Sequence, residues 1–300
     1  MTSERAIAVI PTPNVALADY WALTKPDINF LIAITTFAGF YLGYPGRWDV
    51  ATSLLLIHTL LGTVLVAAGT GTLNQYLEWQ FDSQMRRTAR RPVASGRIKP
   101  AAALWFGIGL SAAGGIYLAV AANLLASGLA IFTLLSYLFV YTPLKRKTPL
   151  CTLVGAIPGA MPPLIGWAAS HESLSLGAWV LYLILFLWQF PHFMAIAWMY
   201  RDDYDRASYQ VLPRGQARVR FVVLQTVLPL LALVLVSLVA RPMGRLGLVC
   251  SVGALLLGAV FFYYGAKFTL RRANTDARKL LFASIVYLPL LFVLMTIFRA

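Results

Sequence analysis

The sequence predicts an all-α, polytopic membrane protein with about nine transmembrane helices. Three observations carry that expectation: composition, the length of the apolar stretches, and the placement of the bases. Of 300 residues, 59% are hydrophobic and 12% charged, against about 25% charged in an ordinary soluble domain. A soluble domain of this composition lacks the polar groups to cover its own surface. A disordered chain, which needs low hydrophobicity, is excluded as well.

A helix needs about 20 apolar residues, each rising 1.5 Å, to cross a hydrocarbon core of about 30 Å. Nine stretches approach that length: 28–44, 51–73, 102–121, 124–142, 150–169, 176–197, 220–240, 246–266 and 280–298. Helices are expected because lipid leaves no other partner for backbone polar groups. With the amino terminus placed in the cytoplasm, only Arg47, Arg241, Arg245 and Arg299 fall outside, and the other 21 of 25 Lys and Arg fall inside. This lopsided split is the positive-inside pattern. The sequence is expected to form one domain over residues 1–300, with residues 1–20 as a short cytoplasmic tail and the carboxy terminus outside. No cleaved signal peptide is evident, since no h-region of sufficient length precedes Pro11. Cys151 and Cys250 lie in apolar stretches and form no paired framework.

Within the fifth stretch, Gly155, Pro158, Gly159, Pro162, Pro163 and Gly166 predict a broken or closely packed helix. The inner segments 74–100 and 199–219 are long, whereas outer connections such as 121–124 and 170–175 are short. Long loops on one face of a rigid scaffold are where function collects, so the functional face is expected to be cytoplasmic.

Five of the eleven acids stand in two places: Glu78 and Asp82 after the second stretch, and Asp202, Asp203 and Asp205 after the sixth. Asn74, Glu78 and Asp82 are spaced i, i+4, i+8 and share one helix face. Like charges at that spacing destabilise a bare helix, so a cation should offset them. Oxygen-only ligands suit Mg²⁺, which binds through one or two carboxylates plus a substrate phosphate. In the plainer alternative, these acids are solvated and balanced by Arg86 and Arg87. If the chain forms two pseudo-equivalent halves, both acid groups would line one cavity opening near the cytoplasmic face. Arg86, Arg87, Arg90 and Arg91 follow the first group directly, and guanidinium forks bind phosphate bidentately. Positive-inside topology alone also puts bases there.

Acids for Mg²⁺ beside bases for phosphate suit a diphosphate, and at a membrane that suggests a lipid-tailed one. No GxxxxGK[ST] pattern occurs, which argues against a nucleotide triphosphatase. Loss of diphosphate from an allylic carbon leaves a cation, which aromatic faces such as Tyr137, Tyr141, Trp188 and Phe193 could stabilise. His192, beside Pro191 near the inner end of the sixth stretch, is an intramembrane ionisable residue and hence a functional candidate. A histidine bonded to a carbonyl freed by the proline would look the same. His58 and His171 read as structural.

The segment Asn74-Gln-Tyr-Leu-Glu78-Trp-Gln-Phe-Asp82-Ser-Gln-Met-Arg-Arg87-Thr-Ala-Arg-Arg91-Pro resembles the first signature of the protohaem IX farnesyltransferase branch of the UbiA-type intramembrane prenyltransferases. Tyr141-Thr-Pro-Leu-Lys145, Gly159-Ala-Met-Pro-Pro, Gln189-Phe-Pro-His192-Phe, Arg201-Asp-Asp203-Tyr204 and 277–289 are similar to its later segments. The resemblance spans most of the chain from about Trp21 to Pro289. It implies transfer of a farnesyl group from farnesyl diphosphate to a vinyl carbon of haem b, giving haem O, in a bacterial inner membrane. It also implies metal ligation by Asn74, Glu78, Asp82, Asp202 and Asp203. Arg87, Arg91 and His192 become catalytic candidates, and Asn74, Arg86, Lys145, Arg201 and Tyr204 substrate-binding ones. Mg²⁺ is the implied cofactor, and haem b is substrate. Expected partners are the lipid bilayer and haem A synthase or terminal oxidase assembly factors, with no nucleic acid. Two departures stand out: Glu78 replaces the superfamily's usual Asp, and the second DxxxD is absent, with Met199 and Ala207 four residues either side of Asp203. The alternatives are a prenyltransferase acting on an aromatic quinone precursor and a non-catalytic transporter or haem-handling protein.

Overall fold

The computed structural model describes residues 17–239 and 245–297. The tail up to residue 16, including Arg5, lies outside the described residues, as do Arg241, Arg299 and the side chain of Arg245. Regular structure among the described residues is helical throughout. The order is α1 Leu17–Leu23, α2 Pro26–Gly43, α3 Val50–Asp82, α4 Pro100–Ala121 and α5 Leu124–Leu135, then a π-helical turn Ser136–Tyr141 and α6 Thr142–Leu144. There follow α7 Cys151–Gly159, α8 Pro162–His171, α9 Leu176–Met199, α10 Arg201–Arg206, α11 Ala217–Val239, α12 Arg245–Arg271 and α13 Asn274–Ile297.

Eight helical stretches among the described residues are long and apolar enough to cross a membrane. The sequence pattern predicts nine; the remaining one is α2, whose 18 residues begin with Asp27 and Asn29 in the first turn. Those polar groups shorten its apolar run. The helix packs among α3, α8 and α13. Its tightest crossing is on α8, where a Cβ at Gly166 would strike the Thr36 carbonyl and one at Gly39 the Pro163 backbone. Only glycine allows that approach.

α3 runs 33 residues to Asp82, well past the end of its apolar stretch. No Gly or Pro interrupts 72–82, so the acid-bearing segment is helix and not loop. The fifth stretch is broken as expected: α7 ends at Gly159, and Pro162 and Pro163 open α8, where a missing N–H costs nothing. Before α6, Thr142 N–H bonds back to the Tyr137 carbonyl, five residues away, and the next residue is Pro143. Proline supplies no N–H to continue the ladder. The widened turn is the kind that collects at functional sites, and it delivers Tyr141 and Lys145 to the end of the bundle.

Two buried cores flank this arrangement. One joins α2, α3, α4, α5 and α8 through Phe40, Val66, Leu118, Leu134 and Leu164. The other joins α9, α11, α12 and α13 through Ile184, Met194, Leu230, Phe261 and Leu280. Trp167 and Tyr182 pack against both. Outward-facing Ile57, Val120, Leu228, Leu256 and Val286 stay exposed, as a lipid-facing surface requires. The ends of α3, α6 and α9 and the starts of α2, α4 and α11 meet at one end of the bundle, and the charged residues gather there.

Candidate active site

The helical spacing of α3 places Asn74, Glu78 and Asp82 on one face, and burial there is nearly complete: 2%, 5% and 1% exposed. Ionised carboxylates this deep require partners. Asn74 Nδ2 donates to Glu78 Oε2 at 2.7 Å. Lys145 Nζ lies 3.0 Å from both Glu78 oxygens, and the Tyr209 hydroxyl donates to Oε1 at 2.9 Å. Arg91 Nη1 holds Asp82 Oδ2 at 2.8 Å, while the Thr88 hydroxyl caps the Asp82 carbonyl at 2.9 Å.

The second acid group reaches the same place by one member. Asp203 is buried, accepts the Arg87 backbone N–H at Oδ2 at 3.2 Å and pairs through Oδ1 with Arg206. Arg206 Nε also reaches the Gln84 carbonyl. Residues more than a hundred positions apart are thus joined by Asp203–Arg87, Arg206–Gln84 and Tyr209–Glu78. The two groups that the sequence proposes as one site share one hydrogen-bonded network.

The other candidates divide. Arg87 lies over the Tyr200 and Tyr204 rings at 5.1 and 6.0 Å, with the Tyr204 hydroxyl 3.4 Å from Nη2. Lys145 sits 4.6 Å from the Tyr141 ring centroid and 5.8 Å from that of Tyr137, which brings two expected aromatic faces to the cluster. Arg86 is exposed on the adjoining turn. Asp202, by contrast, is not brought in. Its side chain is 80% exposed and its pairing is with Arg201 at 3.8 Å, because neighbours on a helix point about 100° apart. Arg201 is likewise engaged elsewhere, donating to the Trp198 carbonyl and to Asn274 Oδ1 at 2.7 and 2.9 Å.

His192 lies apart from that network, roughly 10 Å along α9 from the Met199 end. Its Nδ1 lies 2.8 Å from Ser284 Oγ, and its ring stacks on Trp188 at 4.8 Å. Trp188 Nε1 in turn donates to the Ser284 carbonyl at 2.8 Å. With Nδ1 held, Nε2 is the nitrogen left to face a ligand. Among the other histidines, His58 is tied to the Tyr117 hydroxyl at 2.6 Å between α3 and α4.

Three residues of the network lie beyond the sequence candidates. Lys25, at φ 53° before α2, donates to Asn74 Oδ1 at 2.8 Å. Burial, then the charges of Arg91 and Lys145, lower its pKa to about 7 against the pull of Glu78 and Asp82. Lys145 goes the other way: burial works to depress it, but the adjoining Glu78 carboxylate holds it well above the ordinary lysine value. Tyr209 and Arg206 are the other two, and burial followed by Glu78 pushes the Tyr209 hydroxyl far up. The sequence signal for Lys25 was a base directly before Pro26 at the start of an apolar run, which topology alone also explains.

The donor set fits a hard divalent cation. It is all oxygen, anionic and shielded from solvent. Among the described residues no three of His, Cys, Asp and Glu converge into a self-sufficient metal cage, so an ion here needs phosphate oxygens to complete its shell, as Mg²⁺ commonly does. Three buried carboxylates pair with Lys145, Arg91 and Arg206, while Lys25 on Asn74 and Arg87 against Tyr204 stand beside them. That excess of positive charge suits an anion carrying its own metal.

Comparison with known proteins gives the chain's descent. The model of the UbiA prenyltransferase family matches residues 32–286. A protein named protoheme IX farnesyltransferase from Solibacter usitatus is 48% identical over 289 residues, covering 94% of this chain and 99% of that one. Its namesake from Koribacter versatilis is 39% identical, over 100% of this chain and 99% of its own. Among solved structures, one of digeranylgeranylglyceryl phosphate synthase superposes with a TM-score of 0.72 at 17% identity, covering 94% and 98% of the two chains. A UbiA homologue from Archaeoglobus fulgidus bound to GPP and Mg²⁺ gives 0.62 at 14% identity, covering 92% and 99%. At such identities the structures speak for the fold, while the sequence matches speak for descent. This chain is a member of the UbiA prenyltransferase family.

Proposed function

We propose that this protein transfers the farnesyl group of farnesyl diphosphate to a vinyl carbon of protohaem IX in a bacterial inner membrane. The observation that carries the reading is the gathering of three buried carboxylates, Glu78, Asp82 and Asp203, with Lys145, Arg91 and Arg206 paired to them and Lys25 and Arg87 alongside. Likeness to farnesyltransferases over nearly the whole chain supports haem b as acceptor.

In this reading Asn74, Glu78, Asp82 and Asp203 would hold Mg²⁺, which would supply charge neutralisation on the departing diphosphate. Arg87 and Arg91 grip diphosphate oxygens through planar forks, and Lys145 and Lys25 add point charges as they leave Glu78 and Asn74. Breaking the farnesyl C1–O bond sends its electron pair to diphosphate and leaves an allylic cation. Tyr137 and Tyr141, both partly buried, present π-faces to it. The vinyl carbon attacks C1, and the cation left on the porphyrin side chain takes up a water molecule, which loses a proton to solvent or a nearby base and leaves the hydroxyl of haem O. His192, oriented by Ser284 and Trp188, serves the acceptor as iron ligand or proton handler through Nε2. The network end faces the cytoplasm in this reading, and haem A synthase or oxidase assembly factors are the expected recipients of product.

Incubating the purified protein with haem b, farnesyl diphosphate and Mg²⁺, then chromatographing the porphyrins, tests the proposal. Farnesylated haem supports it. Unmodified haem beside a prenylated phenolic acceptor selects the quinone-precursor reading, and no product with either selects a non-catalytic protein.

A further inference from the structure

The segment that follows α10 enters the network through a strained turn. Ser208 adopts φ 57°, a left-handed conformation that costs a non-glycine residue energy and persists where the surroundings impose it. The turn closes with Tyr209 N–H on the Tyr204 carbonyl at 2.9 Å, and Gln210 N–H then bonds the Lys145 carbonyl at 2.7 Å. Val211 and Leu212 are buried just beyond. Residues 208–212 therefore form a strap pinned at both ends across the end of α3. Its inward projection is Tyr209, with its ring near Phe81 and Tyr204, at 5.9 and 6.0 Å between centroids.

The Tyr209 hydroxyl donates to Glu78 Oε1. The other donors to that carboxylate are Lys145 and Asn74, and both have competing calls on them once an anionic ligand arrives. Lys145 is a flexible point charge drawn to phosphate, and Asn74 Oδ1 is itself a candidate metal donor. Tyr209 has two side-chain torsions, both fixed by ring packing, and no charge to be drawn away. We propose that Tyr209 is a positioning residue, which holds Glu78 in register while Lys145 transfers from carboxylate to diphosphate. It rests on the reading of Glu78 as a metal-site acid given under Proposed function. Glu78 has a longer arm than aspartate, so it needs this extra restraint more than Asp82 does.

Tyr209→Phe keeps the ring and removes the donor, so the fold is preserved and the effect is read at Glu78. With the full-length protein in lipid nanodiscs and saturating inorganic diphosphate to complete the ion's shell, Mn²⁺ serves as a spin probe and its affinity is measured. The Kd for Mn²⁺ should rise about tenfold, as loss of a hydrogen bond to a charged group implies. KM for farnesyl diphosphate should rise with it, while KM for haem b moves less than twofold. In a Glu78→Asp background, where the shorter arm no longer meets the hydroxyl, adding Tyr209→Phe should change Mn²⁺ affinity less than twofold. An unaltered Kd in the single variant, or the same tenfold loss in both backgrounds, overturns the inference. Tyr209→Gln, which keeps a donor without the ring, should bind Mn²⁺ more tightly than Tyr209→Ala; equal losses also overturn it. If the wild-type protein binds no Mn²⁺, the metal-site reading and this inference fall together. If the wild type binds and Tyr209→Phe matches it, only the role of Tyr209 falls.

Discussion

The two acid groups carry the same number of carboxylate-or-amide side chains and are treated by the fold in opposite ways. In α3, Asn74, Glu78 and Asp82 are all buried, each with its own basic partner: Lys25, Lys145 and Arg91. In α10, Asp203 alone is buried, while Asp202 and Asp205 are 80% and 47% exposed. The cause is spacing. Steps of four residues return to one helix face, whereas adjacent residues diverge by about 100°. A triad at i, i+4, i+8 can point three groups into one site, and a run of acids can point only one. Density of charge in a sequence is therefore a weaker guide to a site than the period at which it recurs.

The comparison is most sharply tested by removing the buried acids. Asp82→Ala and Asp203→Ala should each lower turnover on the order of 10²–10³-fold, the usual cost of deleting one preorganised electrostatic group, while the protein still inserts and folds. Product formation from haem b and farnesyl diphosphate in membranes measures it. Near-normal turnover in Asp203→Ala would break the link between the halves, leaving α3 to act alone.

Much of this was legible beforehand, and the residues that were not share a reason. The period of Asn74, Glu78 and Asp82 and the apolar stretches follow from local geometry, so helix faces and the break at Pro162 could be read directly. Lys25 and Tyr209 meet their partners across the chain: Lys25 and Asn74 are 49 residues apart and Tyr209 and Glu78 are 131, whereas Arg206 pairs with Asp203 at i, i+3 and reaches across only to the Gln84 carbonyl. Local periodicity says nothing about such pairings. Lys25 was also hidden by a second role, because a base at the inner end of a helix is what topology requires anyway. The α2 stretch differs from the other eight for a local reason: Asp27 and Asn29 open an 18-residue helix and lower its mean apolarity.

A smaller effect is expected at the bridge between the groups. Arg87 ties them through its backbone N–H to Asp203, which any side chain preserves, and through a guanidinium lying over Tyr200 and Tyr204. Arg87→Lys keeps the charge and the backbone bond but loses the planar fork and its stacking. We expect kcat/KM for farnesyl diphosphate to fall about tenfold, equivalent to about 1.4 kcal/mol, with thermal stability unchanged. Wild-type kinetics would show that the backbone bond alone is what Arg87 contributes.

His192 sharpens the comparison from outside it. Since it touches Ser284, Trp188 and Phe193 and neither acid group, His192→Gln should weaken haem b with little change toward farnesyl diphosphate. A rise of several-fold in the KM for haem b, with the KM for farnesyl diphosphate within twofold, is the expected split. Equal changes in both would tie His192 to the diphosphate end as well.

The smallest effect is expected where the sequence expected a metal ligand. Asp202 is bonded to nothing in the network, and its ion pair with Arg201 is long and solvated, a class worth about 0–1 kcal/mol. Arg201 does not depend on that pair for its position, because the Trp198 carbonyl, Asn274 and the Trp198 ring already hold it. Asp202→Asn should therefore keep turnover within about twofold of wild type and leave Mn²⁺ affinity unchanged. The paired measurement with Asp203→Ala gives the result its meaning, since both variants remove one charge from the same helix, one residue apart. If Asp202→Asn loses turnover as Asp203→Ala does, α10 must turn when substrate binds, carrying Asp202 inward. The difference between the two acid groups would then be a property of the substrate-free state and not of their spacing.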